Sequence, residues 1–332
     1  MKTKYILDPE ALEKSDILLS RSDDRESRII RQASSSEYSH AIIYVGDYSC
    51  IESNGLGVQA QNIQRMLFDN IEDVLVLRLI DYPGQKPIND VVEYARQKVG
   101  TEYSTGEARV ALTKSQTSEV AKETNRQFCT RYVAQSYAHA GIKLVDNTDY
   151  CSPADIQKST LLRIVPNVLI AATEAQIKFA VSENPLNRQE EIHNFIFEST
   201  REQTGKDIQT FEQLAKHLLE NPDDDEKITQ IVRASGYLEM WKLDSQNNPE
   251  NYDYDAFVKY FEDPEQRRYI GREIINREPE IRARFEVNLQ TMEFGYRFYQ
   301  QEYFRVMIDL YNQLIILSNQ RQTVGRKALM NS

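Results

Sequence analysis

"SEYSHAIIYVGDYSCIES", residues 36–53, alternates apolar and polar positions around a Gly-Asp pair, the pattern of a β-hairpin. His40, one of only four histidines in 332 residues, opens the first arm, and Glu52 closes the second. With a three-residue turn at Gly46-Asp47-Tyr48, Val45 faces Ser49 and Ile42 faces Glu52. His40, Ile42 and Tyr44 then share one face by the two-residue period of a strand. Glu52 falls on that face too, diagonally across from His40 and within reach of long side chains. A two-residue turn would put Glu52 on the opposite face. The hairpin thus raises a chemical question: what would a histidine with a carboxylate beside it serve?

The surrounding sequence reads as a mixed α+β domain. Residues 16–20 (DILLS) form a short buried strand, and 22–34 a helix with acids early and arginines late. "LGVQAQ" (56–61) adds a strand, followed by a short helix around 62–68. "DVLVLRLI" (73–80) is another strand, ended by Pro83-Gly84. Residues 87–100 have proline first and glycine last, as a helix should. A further helix over 125–141 puts Phe128, Tyr132, Val133, Ser136, Tyr137 and Ala140 on one face. Ser152, Pro153 and Asp155 then give the start of a helix over 152–159. From about 170 onward strand signals vanish. "FEQLAKHLLE", "DDDEKITQIVRAS" and the run Phe285 to Leu317 all show helical spacing. The expected organisation is a mixed α+β domain over 1–168 and an all-α helical bundle over 169–332, with the 285–317 run supplying a central helix.

Charge follows the same division. The chain carries a net −11, unlike the basic footprint of a nucleic-acid binder. Residues 171–332 hold 28 acidic and 20 basic side chains, so the second half carries most of the excess. Solubility accounts for that surface, with an unidentified protein partner as the other reading. No stretch is long and apolar enough for a transmembrane helix, and the N-terminus lacks the pattern of a signal peptide. The expected location is cytoplasmic, with delivery by a specialised secretion system as the alternative. Cys50, Cys129 and Cys151 show neither CxxC spacing nor a nearby histidine pair. No metal or cofactor is expected.

Cys129 falls in the first turn of its helix, where unpaired N–H groups and the dipole favour an anion. Thiols so placed ionise readily and act as nucleophiles, usually with a histidine partner. The bland reading is a small buried thiol on an apolar face. His139 is ten residues further along the same helix, about 15 Å away. His193 and His217 fall in the helical half. Elimination leaves His40, with Glu52 to orient its ring. Cys50 reads as a strand core residue, and Cys151 as a weaker alternative nucleophile.

Together, "SHAIIYVGDYSCIES", "FCTRYVAQSYAHAGI" and "SPADIQKSTLLRIV" resemble the permuted papain-fold amidases related to NlpC-type cysteine peptidases, the YiiX-like group. The unpermuted family places its cysteine helix before the histidine strand. Here the order is His40, Glu52, Cys129, as in the permuted branch that includes the lecithin:retinol acyltransferase-like proteins. "VGTEYSTG" (99–106) resembles the family's Gly-x-x-Tyr segment, which makes Tyr103 an active-site neighbour. Two departures stand out. Ser15-Asp16 occupies the place of a Gly-Asp pair, and Thr130-Arg131 follow the cysteine where a serine and an acid are common.

The resemblance implies a permuted papain-like (NlpC-type) domain, covering roughly 10–168, with a Cys129–His40–Glu52 triad. The implied reaction is thiolate attack on a peptide-type amide through an acyl-enzyme. The aromatic residues Tyr103, Phe128 and Tyr132 are expected to line the substrate site. Alternatives are a lipid acyl-ester hydrolase or acyltransferase, in either case a candidate antibacterial effector, and a catalytically silent papain-like interaction module.

Overall fold

The structure, a computed structural model, describes residues 3–114 and 125–331. In chain order the strands are β1 (Tyr5–Leu7), β2 (Ile17–Ser20), β3 (His40–Gly46), β4 (Ser49–Asn54), β5 (Gly57–Asn62), β6 (Val74–Leu79), β7 (Leu162–Val165) and β8 (Leu169–Ala171). The helices of the same region are α1 (Arg25–Ser34), α2 (Gln85–Gln97), α3 (Thr105–Lys114), α4 (Cys129–His139), α5 (Pro153–Gln157) and α6 (Glu174–Ala180). Beyond them come α7 (Pro185–Thr204), α8 (Phe211–Glu220), α9 (Asp225–Ser235), α10 (Met240–Asn247), α11 (Tyr254–Tyr260), α12 (Pro264–Tyr299) and α13 (Glu302–Met330). This is the expected α+β domain with a C-terminal helical region.

Six strands form one antiparallel sheet in the order β5-β4-β3-β2-β6-β7. Strict alternation divides its side chains between two cores. Ile17, Leu19, Ala41, Ile43, Val45, Ile51 and Leu77 pack against Val91, Val92 and Ala95 of α2 and Tyr132, Val133 and Tyr137 of α4. Leu18, Ile42, Tyr44, Cys50 and Val76 face the other way, onto Leu7, Leu12, Ile63 and Phe68. A sheet covered on both faces has apolar residues at nearly every central position, which is why β2 reads as a continuous apolar run.

The hairpin reaches its expected register by an unexpected route. Its turn has two residues, Asp47 (φ 54°) and Tyr48 (φ 60°), and Gly46 pairs with Ser49. Two positive φ values are the signature of a type I′ turn, whose twist matches the strands it joins. Alone, that turn would send Glu52 to the wrong face. The register shifts between Tyr44 and Gly46, so Val45 bulges and Tyr44 faces Cys50, Ile42 faces Glu52. The guanidinium of Arg96 on α2 donates to the Val45 carbonyl at 3.1 Å, satisfying a group in the bulge.

The chain divides into two compact units: Met1–Glu191 with Asp207–Gln213, and Ile192–Lys206 with Leu214–Ser332. The break expected after residue 168 falls inside the first unit, because β8 pairs antiparallel with β1. Arg65 holds the next stretch. Its guanidinium donates to the carbonyls of Phe179 (3.2 Å), Ser182 (2.7 Å) and Glu183 (2.9 Å) and stacks over the Phe179 ring. Three carbonyls at the end of α6 thereby gain a cation, the favoured charge at a helix C-terminus.

The second unit is helical, but the 285–317 run is not one helix. It spans the end of α12 and the start of α13, broken at Gln300, whose φ of 52° ends α12 in a left-handed cap. Gly271 and Gly325 let the two long helices approach: a Cβ on Gly271 would sit 2.9 Å from the Gly325 carbonyl. Glu278 is buried between them, accepting from Arg321 at 2.6 Å and Ser318 at 2.7 Å.

Candidate active site

Cys129 is the first residue of α4, after the extended Phe128, and no side chain caps this helix start. Its first-turn N–H groups therefore point toward whatever lies at the thiol. His40 is the first residue of β3, so both side chains sit at the ends of their elements. The His40 Nε2 lies 2.7 Å from Glu52 Oε2, and the Cys129 thiol is the ring's other side-chain partner. Burial opposes a positive imidazole, but the Cys129 and Glu52 interactions outweigh it and push His40 up to about 10.

Glu52 is itself tethered. Asn54 Nδ2 donates to its Oε1 at 3.0 Å, and Gln61 is a further side-chain partner. Burial alone would raise this carboxyl, yet the His40 contact, with Asn54 and Gln61, holds it below the usual value. Asn54 and Gln61 went unread in the sequence. Asn54 had a signal, because a residue two positions along a strand shares its face.

The other two thiols are out of play. Cys50 is fully buried on the second core, and Cys151 is 2% exposed with its thiol on the Thr130 carbonyl. Burial pushes both well above the ordinary thiol value.

Of the three aromatic residues expected to line the site, the structure brings only Tyr103 to it. Tyr103 pairs in a parallel bridge with Gln127, two residues before Cys129. Burial, then the electrostatic interaction with Cys129, push its hydroxyl up. Tyr132 is wholly buried in the main core and donates to the Ala95 carbonyl at 3.2 Å. Phe128 is 2% exposed and packs with Tyr150 and Ala111. Neither retains surface for a substrate: helical periodicity put them on α4's inward face, and that face turned out to be core.

Both sequence departures have a structural account. Ser15 has φ 70°, a conformation that glycine adopts without strain. Tyr137 donates to its carbonyl, and Asp16 beside it is gripped by Arg78 at 2.7 Å through both carboxylate oxygens. Arg131, fully buried, makes a two-pronged pair with Glu107 of α3 at 2.9 Å and lies over the rings of both Phe128 and Tyr150. It also donates to the Arg126 and Asp149 carbonyls, at 3.0 and 2.8 Å. The chain entering the cysteine helix is thereby fixed by a buried cation whose charge is fully paired.

Among the described residues no helix is long and apolar enough to cross a membrane, and no group of three or more His, Cys, Asp or Glu is placed to hold a metal ion. No curated protein matches the chain. A solved structure titled as the metalloprotein yiiX from Escherichia coli O157:H7 is similar at 17% identity and a TM-score of 0.36. It covers 46% of this chain and 96% of its own. Residues 11–149, the stretch that holds β2 to β6, the His40–Glu52 hairpin and the Cys129 helix, match the model of the "permuted papain-like amidase enzyme, YaeF/YiiX, C92 family". Over that stretch, less than half of its length, the chain is similar to the permuted papain-like amidases, which supports a cysteine-type hydrolase.

Proposed function

We propose that this protein hydrolyses an amide bond with a Cys129–His40–Glu52 triad. The observation that carries the reading is the 2.7 Å His40–Glu52 contact with Cys129 as the ring's second partner. With Nε2 taken by Glu52, Nδ1 is the nitrogen left for the thiol proton, giving a thiolate–imidazolium pair. The thiolate attacks the carbonyl carbon, and the Cys129 N–H stabilises the resulting oxyanion. As the tetrahedral adduct collapses, the imidazolium protonates the leaving amine. Water, deprotonated by the now neutral ring, then releases the acid from the thioester. Glu52 keeps the ring's tautomer and orientation throughout, as the third member of such triads does.

An amide leaves only once its nitrogen is protonated, and an imidazolium oriented by Glu52 supplies that proton. This favours amide over ester cleavage. Incubating the protein separately with bacterial cell-wall peptides and with mixed phospholipid vesicles tests the choice. New amine ends from the peptides are expected, whereas fatty-acid release without peptide cleavage would overturn it. Slow alkylation of Cys129 by iodoacetamide at neutral pH would instead favour a catalytically silent module.

A further inference from the structure

We infer that Gln209 is a positioning residue for the Cys129 site, supplied from a segment far outside the 11–149 family stretch. The inference rests on the proposed role of Cys129. Gln209 lies on Asp207–Gln213, which belongs to the first compact unit although the residues on either side in sequence belong to the second.

The link runs through residues 100–104, which bridge the triad sheet and the entry to the nucleophile helix. At one end, Gly100 N donates to the Val58 carbonyl at 2.9 Å and Val58 N to that of Thr101 at 2.8 Å. Val58 pairs with Ser53, next to Glu52. At the other end, Gln127 N donates to the Glu102 carbonyl at 2.9 Å and Ser104 N to the Gln127 carbonyl at 2.7 Å. Tyr103 lies in the middle of this strap, beside Cys129. The N–H of Glu102 is taken by Gln209 Oε1 at 2.9 Å.

Gln209 is held for that task. It is completely buried, its Nε2 donates to Asp207 Oδ1 at 2.6 Å, and its own N–H donates to Gln213 Oε1 at 2.7 Å. Both ends of its amide are committed, which fixes the direction of its oxygen. Asp207 also lies 4.0 Å from Arg126, whose guanidinium pairs with Glu102 at 2.7 Å. The segment therefore braces both strands of the Tyr103–Gln127 bridge. It touches neither His40 nor Glu52 through any of these bonds. Loss of the brace should loosen the Tyr103 wall while leaving the thiolate–imidazolium pair in place.

The test compares labelling of Cys129 in the full chain by a small reagent, iodoacetamide, and a bulky aromatic one, N-phenylmaleimide. Gln209→Met keeps the length but removes the acceptor. It should leave the iodoacetamide rate within about twofold and raise the N-phenylmaleimide to iodoacetamide ratio at least fivefold. In a Tyr103→Ala background the same substitution should change the ratio by less than twofold, because the wall it positions is already gone. Gln213→Ala, which removes the acceptor of the Gln209 N–H, should act in the same direction and replaces Gln209→Met if that variant does not fold. An unchanged ratio overturns the inference, as does an equal effect in both backgrounds, which would mark a general structural role. Wild-type label found on a residue other than Cys129 would sink the nucleophile assignment instead.

Discussion

Glu52→Gln keeps the shape of the proposed third triad member and removes its charge. The carboxylate accepts from His40 through Oε2 and from Asn54 through Oε1. An amide has one oxygen, so one of these two donors is left facing an NH₂ group. A hydrogen bond to a charged partner contributes about 1.5–3 kcal/mol. At about 1.4 kcal/mol per decade, that lowers the imidazolium of His40 by about one to two units from its raised value. The same energy, lost where the ring takes up the thiol proton, makes the thiolate–imidazolium pair scarcer and slows turnover by about 10- to 150-fold. The assay is the rate of Cys129 alkylation by iodoacetamide from pH 5 to 11, alongside turnover of the best peptide substrate. The alkaline limb of turnover should move down by about one to two units. A variant whose limb and rate both stay within twofold of wild type would refute the role of Glu52, and with it the triad.

Cys129→Ala should abolish turnover and alkylation, while Cys50→Ala and Cys151→Ala keep most activity and lose about 1 kcal/mol of stability by denaturant unfolding. Gly57→Ala should lower stability by more than about 1–3 kcal/mol, because Gly57 has φ 111° and a Cβ there would sit 2.6 Å from the Thr101 carbonyl of the Tyr103 strap; thermal unfolding measures it. Ser15→Gly should raise stability by about 0.5–1 kcal/mol, since relief of the left-handed strain exceeds the entropy cost of glycine; an unchanged or lower Tm counts against the strain argument. The His40–Glu52 pair also gives stability a pH window. His40 is raised when folded, so its contribution is whole below about 6.5 and is lost as pH rises toward about 10. Glu52 is lowered when folded, so its contribution is whole above about 4.5 and is lost as pH falls further. Urea unfolding of wild type and His40→Ala across that range should show the wild-type advantage shrinking at both ends.

The sequence by itself determined the local elements of the first unit, because each rests on short-range chemistry. A short apolar run specified β2, alternation the β3–β4 hairpin, and Pro153 with the Ser152–Asp155 capping box α5. The start of α4 at Cys129 was legible to within a few residues, and the order His40, Glu52, Cys129 carried the family resemblance. Tertiary structure decided what depends on partners distant in the chain. Val45 bulges, and its carbonyl meets Arg96 of a helix some fifty residues on, so no turn rule could give the right face for Glu52 by the right path. The three-residue β8 belongs to the first unit only because β1 is there to pair with it. Phe128 and Tyr132 show the same limit. Periodicity finds the apolar face of a helix, but whether that face meets a core or a cavity depends on what packs against it. Gln209 is the extreme case: an uncharged residue in a short linking segment has no signal in the sequence, and its meaning comes entirely from the Glu102 N–H that folding brings to it.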